Sequence, residues 1–152
     1  MGYDLQIKHI GLKETYVVRH PVLREGKPIS SCAFESDDLD STIHIGAFHH
    51  NDLIAVTTFM KNGHQIHLFK NAYQLRGMAV IQNYQGKGVG KILLNFGETS
   101  LVEKQVSILW MNAREKAVPF YKKLGFKVIG NVFDIPEIGN HYVMFKKLKQ
   151  VK

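Results

Sequence analysis

The sequence predicts an α/β fold in which helices flank a mixed sheet. Three observations lead there. Short alternating or β-branched runs recur along the chain, and a central segment carries Val89, Ile92, Leu93 and Phe96 at helical spacing. A strand–helix–strand–helix succession is then closed by two further strands, the order of a mixed layered sheet. At 152 residues, 45% hydrophobic and 22% charged, the chain can bury a real core. No repeat, low-complexity tract or Pro/Gly-rich linker divides it, so it reads as one domain, 1–152.

The elements follow in order. "LQIKHI" alternates as a short strand does. "KETYVVRHPVL" has helical spacing, with Tyr16, Val17 and Leu12 on one side, and Pro21 is expected to mark its end. "EGKPISSCAFESDDLD" is rich in turn formers and reads as a polar connection. Its Asp37, Asp38 and Asp40 are expected to be solvated. "TIHIGAFHHNDLIAVTTFMKNGHQIHLF" gives two strands with turns at "HHNDL" and "KNGH", and "AYQLRGMAVI" gives a further strand. A helix runs from Gly88 to about Glu103, and "VSILWMN" is a β-branched and aromatic strand. In "KAVPFYKKLGF", Ala117, Phe120, Tyr121 and Leu124 share a helical face; Pro119 fits only the first turn and Gly125 stops the helix. "FKVIGNVFDI" and "NHYVMFKKL" form a closing antiparallel pair around "PEIG".

Composition excludes several classes of function. Cys32 is the one cysteine, so no internal disulfide or cysteine metal cage exists, and a small buried thiol is expected there. His49-His50 and His64/His67 lack a spaced carboxylate or Cys to complete a metal set, so no metal is expected. No apolar run approaches the span of a bilayer, and the start lacks the apolar core of a signal peptide. Gln6 stands where a Met1-Gly2 myristoylation signal needs Ser or Thr. The expectation is a cytoplasmic protein without membrane association. The net charge of +7 favours an anionic partner, which a polyphosphate cofactor satisfies as well as nucleic acid does. Lys and Arg are dispersed, and the densest group, "FKKLKQVK", reads as a fraying tail, which argues against nucleic acid.

The chemistry concentrates in "QGKGVGK", where Gly86, Gly88 and Gly90 open a helix in company with Lys87 and Lys91. Glycine disfavours helix, but the first helical turn leaves N–H groups without partners at a partly positive end. A phosphate fits there once the absence of Cβ lets it approach. The P-loop pattern fails, because Gln85 stands at its first glycine and Ile92 follows the lysine. The dinucleotide pattern fails too, since the third glycine comes too early.

Gln85-Gly86-Lys87-Gly88-Val89-Gly90 resembles the Q/R-x-x-G-x-G/A signature of the GNAT N-acetyltransferase superfamily. The flanks "LRGMAV" and "AVPFYKKLGF" are in the order that family has, so the likeness covers about Tyr73 to Phe126. The resemblance implies a mixed, mostly antiparallel sheet of about seven strands flanked by helices, its central strands splayed into a coenzyme A cleft. It implies acetyl-CoA as co-substrate and an amine acceptor, either a small molecule or a protein, attacked directly in a ternary complex. Gln85, Gly86, Lys87, Gly88, Val89, Gly90 and Lys91 are expected to hold the pyrophosphate through main-chain amides. Met78, Ala79 and Val80 are expected beside the pantetheine arm, with the Met78 N–H polarising the thioester carbonyl and Tyr121 as general acid. Arg114 stands where many relatives carry a cofactor-binding Asn; Asn112 is taken as its substitute. Gln74 stands where some relatives carry a glutamate base, so the base is not identified; a water chain or one of His141, His44 and His67 is left for that role. Arg76, expected to alternate onto one strand face with Gln74 and Met78, and His141 are assigned to the acceptor. The family resemblance admits a homodimer. A non-catalytic acyl-CoA-binding module on the same fold and a basic nucleic-acid-binding protein stand as alternatives, and the acceptor is not legible in the sequence.

Overall fold

In chain order the elements are β1 (Leu5–His9), α1 (Leu12–Leu23), β2 (Ile43–His49), β3 (Asp52–Lys61), β4 (Ala72–Val80) and α2 (Val89–Glu103). They continue with β5 (Ile108–Arg114), α3 (Val118–Lys123), β6 (Lys127–Ile135) and β7 (Gly139–Lys147). The structure, a computed structural model, describes residues 4–149. The Met1-Gly2 start and the last residues of the basic tail lie outside the described residues. The strands run β1-β2-β3-β4-β5-β7-β6 in a seven-stranded mixed sheet, as expected. β1–β2, β2–β3, β5–β7 and β6–β7 are antiparallel. β4 and β5 are parallel, in register over Ala72–Gln74 and Ile108–Trp110.

The chain divides into two compact units, one made of Met1–Lys61 and Leu75–Ser100, the other of Asn62–Gln74 and Leu101–Lys152. In the first unit β3 is buried from Ile54 to Met60 without alternation, because helices cover both of its faces. Thr58 faces α1, where it meets Arg19, and its neighbour Phe59 faces α2, where a Cβ on Gly97 would lie within contact distance of the ring. Val18 of α1, Val56 of β3 and Ala79 of β4 form a core packed by Ile10, Val22, Leu23, Leu53 and Ile81.

Helix α1 departs from expectation in two ways. It continues to Leu23 past Pro21, which lies in the last turn and removes one bond there, and the helix opens with Glu14 accepting the Gly11 N–H at 2.8 Å. Its buried side is Thr15, Val18 and Arg19, while Val17 is 61% exposed. The sequence pattern counts an arginine as a surface residue; this one is buried because a carboxylate meets it.

In the second unit Ala72, Trp110 and Val143 are packed by Phe69, Ile108, Ile129, Phe133 and Phe145, and the Trp110 indole N–H donates to the Asn62 carbonyl at 2.8 Å. α3 carries Pro119 in its first turn and yields to Gly125 at φ +97°, as expected. The basic segment expected to fray is instead partly in β7, where Lys146 pairs with Leu109 and donates to the Leu124 carbonyl at 2.9 Å.

Candidate active site

After β4 the chain makes a single 3-10 turn at Gln82–Tyr84 and enters the glycine loop. Gly86 and Gly88 adopt φ of +73° and +84°, a region that costs a side chain about 1–2 kcal/mol. A Cβ at either would meet nothing within 4 Å, so the space above the loop is open. Helix α2 begins at Val89, which is buried, and the first bond into it runs from the Ile92 N–H to the Gly88 carbonyl. The N–H groups from Gly86 to Lys91 take no backbone partner among the described residues. Lys87 and Lys91 are exposed beside them. Gln85 differs: its N–H is donated to the Gln82 carbonyl and its side-chain amide to the Val80 carbonyl at 2.8 Å. Gln85 thus ties the loop to the end of β4. A row of unpartnered amides at a helix start, with room above and two cations alongside, fits a diphosphate.

Strand β4 carries a kink that alternation does not foresee. Gly77 has φ +65°, and a Cβ there would lie 2.8 Å from Phe34. The guanidinium of its neighbour Arg76 lies over the same ring, 4.6 Å from the centroid. Gly77 thus interrupts the extended backbone between Arg76 and Met78. Ala79 packs into the core, whereas Met78 and Val80 are partly exposed. The signal that would have found the kink is an isolated glycine inside a strand pattern.

Beneath Phe34 lies a polar network. Arg19 is fully buried and bonds both oxygens of Asp37, at 2.7 and 3.1 Å, as well as the Cys32 carbonyl and Thr58 Oγ1. Asp37, expected in solvent, is 5% exposed and also accepts the Phe34 N–H at 2.7 Å. His44 Nε2 donates to the Asp37 carbonyl at 2.9 Å and Nδ1 contacts Thr58 Oγ1 at 2.8 Å. With Arg19 donating to Thr58, the hydroxyl proton goes to Nδ1, which fixes the tautomer and commits both ring nitrogens. Cys32 is buried, as expected.

In the other unit, Tyr121 of α3 is 7% exposed, against Phe120 at 5.0 Å and Phe126 at 5.8 Å between ring centroids. Phe120 is 39% exposed, so the apolar face of this helix is narrower than the sequence suggests. Burial pushes the Tyr121 hydroxyl up to about 12, because the apolar surroundings penalise the phenolate. Asn112 and Arg114 are exposed on β5 and alternate with buried Met111 and Ala113. His141 is buried on β7, its Nδ1 bonded to the Gly139 carbonyl at 2.8 Å and its ring beside Phe133. Gln74 accepts from the Asn62 amide at 2.9 Å. His64 and His67 stack at 4.7 Å, and burial followed by the His67 charge lowers the pKa of His64. Among the described residues no three His, Cys, Asp or Glu side chains gather to hold a metal ion.

The sequence model of the acetyltransferase (GNAT) family matches residues 11–126, which takes in the glycine loop, β4 and Tyr121. The chain belongs to the GNAT family. It is similar to YitI, an uncharacterized N-acetyltransferase of Bacillus subtilis (strain 168), with 37% identity over 145 residues, 95% of this chain and 97% of that protein. In fold this GNAT member is like the ribosomal-protein-S18-alanine N-acetyltransferase of Escherichia coli, with a TM-score of 0.76 at 17% identity over 97% of this chain and 96% of that one. It is also like an aminoglycoside 6'-N-acetyltransferase solved with coenzyme A, with a TM-score of 0.75 at 14% identity over 97% and 99% of the two chains. Among the described residues, no helix of this GNAT chain is long and apolar enough to cross a membrane.

Proposed function

We propose that this GNAT chain is an N-acetyltransferase that moves an acetyl group from acetyl-CoA to a primary amine by direct attack in a ternary complex. The observation that carries the reading is the glycine loop, with its unpartnered amides from Gly86 to Lys91 and open space above Gly86 and Gly88. Bound acetyl-CoA supplies an acyl group already activated on a sulfur leaving group. The amides of Gly86, Lys87, Gly88, Val89, Gly90 and Lys91 hold its diphosphate, and the Lys87 and Lys91 ammonium groups add favourable charge. Gln85 acts on the loop itself, by fixing it to Val80. Met78, Ala79 and Val80 align the pantetheine arm through their backbone, and Asn112 gives a further polar contact.

Attack by an amine makes the thioester oxygen negative. The Met78 N–H is held by a rigid strand and donates to that oxygen; one such donor is worth about 3–4 kcal/mol of barrier. Tyr121 gives its proton to the departing sulfur. Its hydroxyl, pushed up to about 12 by burial, carries that proton at neutral pH. With its ring nitrogens committed to Thr58 and Asp37, His44 acts in structure rather than as a base.

The test is a screen of primary amines with acetyl-CoA in which free thiol is read. Amine-dependent thiol release, lost in Tyr121→Phe, is the expected result. Coenzyme A binding without amine-dependent release across the panel would favour a non-catalytic binding module, and absence of both would refute the reading.

A further inference from the structure

The ring of Phe34 gathers three guanidinium groups, those of Arg19 at 3.9 Å, Arg76 at 4.6 Å and Arg24 at 5.5 Å from its centroid. Their partners differ. Arg19 has Asp37, and the two oxygens of that carboxylate are filled by Arg19 and the Phe34 N–H. Arg24 donates to the neutral carbonyls of Ser31 and Leu23. Arg76 is half-buried and, among the described residues, forms no hydrogen bond or ion pair. Its guanidinium is in part open to solvent and faces no anion as a bonded partner. Burial is the first cause lowering its pKa; Arg19 and Arg24 add to the effect, against Asp37 and Glu35. Contact with the Phe34 ring positions the fork while leaving its donors without a bonded protein partner.

The place of this fork on the strand says which ligand it serves. The glycine loop follows Met78 along the chain, whereas Arg76 precedes it by two residues with Gly77 between them. A phosphate in the loop is therefore on the other side of the thioester position from Arg76, and an anion at Arg76 belongs to the second substrate. We propose that the acceptor is a small amine that also bears a carboxylate, and that Arg76 receives that carboxylate in two-pronged fashion while the amine faces the thioester. This rests on the acetyltransferase reading above and names the class of its acceptor. A planar fork matches a carboxylate in geometry as well as charge.

The experiment supplies α-, β- and γ-amino acids, each beside its own carboxamide, with taurine and 2-aminoethylphosphonate as tetrahedral anions. Thiol release gives kcat/KM with wild type, Arg76→Gln and Arg76→Lys, and calorimetry on the coenzyme A-loaded protein gives affinity in parallel. The expected result is that acids exceed their amides by about ten- to hundredfold in at least one pair. Arg76→Gln should close that gap with KM for acetyl-CoA unchanged, and Arg76→Lys should restore only part of it. Equal use of acid and amide, a gap that survives in Arg76→Gln, or preference for the tetrahedral anions would each overturn the proposal. Turnover of neutral amines alone would sink this proposal and leave the acetyltransferase reading standing. No turnover with any amine would overturn the acetyltransferase reading and the acceptor proposal with it, even where calorimetry showed an Arg76-dependent preference for acids. Absence of both turnover and acid binding would overturn both.

Discussion

Replacing Asp37 by Ala takes the carboxylate from a guanidinium that has no route to solvent. Arg19 is fully buried, and after the change Nη1 keeps the Cys32 carbonyl and Nη2 keeps Thr58, but the positive charge has no counter-ion. Nε already lacks a partner, so the remaining neutral acceptors cannot make up the loss. The Phe34 N–H, bonded to Asp37 at 2.7 Å, loses its acceptor as well. Removing one member of a buried pair costs about 3–5 kcal/mol, and about 4 kcal/mol lowers the melting temperature of a chain this size by roughly 8–16 °C. The assay is urea unfolding followed by circular dichroism, with the exposed Asp38→Ala and Asp40→Ala as comparisons, each within about 0.5 kcal/mol of wild type. The double variant Arg19→Met/Asp37→Leu should recover part of the loss, because it removes the stranded charge. Should Asp37→Ala unfold within about 1 kcal/mol of Asp38→Ala, the buried pair is not what holds the Phe34 segment in place.

Other outcomes follow from the same structure. Tyr121→Phe keeps the packing and should lower kcat by about a hundredfold or more with little change in KM for acetyl-CoA, read by thiol release. Burial pushes the Tyr121 hydroxyl from the ordinary 10.0 up to about 12, so between those values the unfolded chain has given up a proton that the folded chain retains. Stability should therefore fall as pH rises from 10 toward 12, by roughly 2–3 kcal/mol more in wild type than in Tyr121→Phe, measured by denaturant titration. Gly97→Ala brings a methyl against Phe59 where α2 meets β3, and should cost about 1–3 kcal/mol in the same assay despite the better helix propensity of Ala.

The order of strands and helices was legible because periodicity and turn residues report local structure, and the glycine loop was legible because close approach to a phosphate demands Gly at specific places. The polar network under Phe34 was not. Arg19 and Asp37 look like surface charges in the sequence, and only tertiary proximity makes their burial tolerable. Pro21 misled for a related reason, since a proline in the last turn forfeits a bond that the helix end can spare. Strand alternation takes no account of Gly77, whose φ of +65° interrupts the extended backbone between Arg76 and Met78. Phe120 shows the limit of face-counting in a helix as short as Val118–Lys123.

Calorimetric titration of coenzyme A into wild type and Gly88→Val tests the loop directly. The Cβ of a valine there meets no protein atom within 4 Å, but the residue must adopt φ +84° and enter the space assigned to the diphosphate. The account predicts saturable heat with wild type and at least about a tenfold weaker affinity in the variant, with near-ultraviolet circular dichroism unchanged. No heat with wild type, or equal affinity in the two proteins, would contradict it.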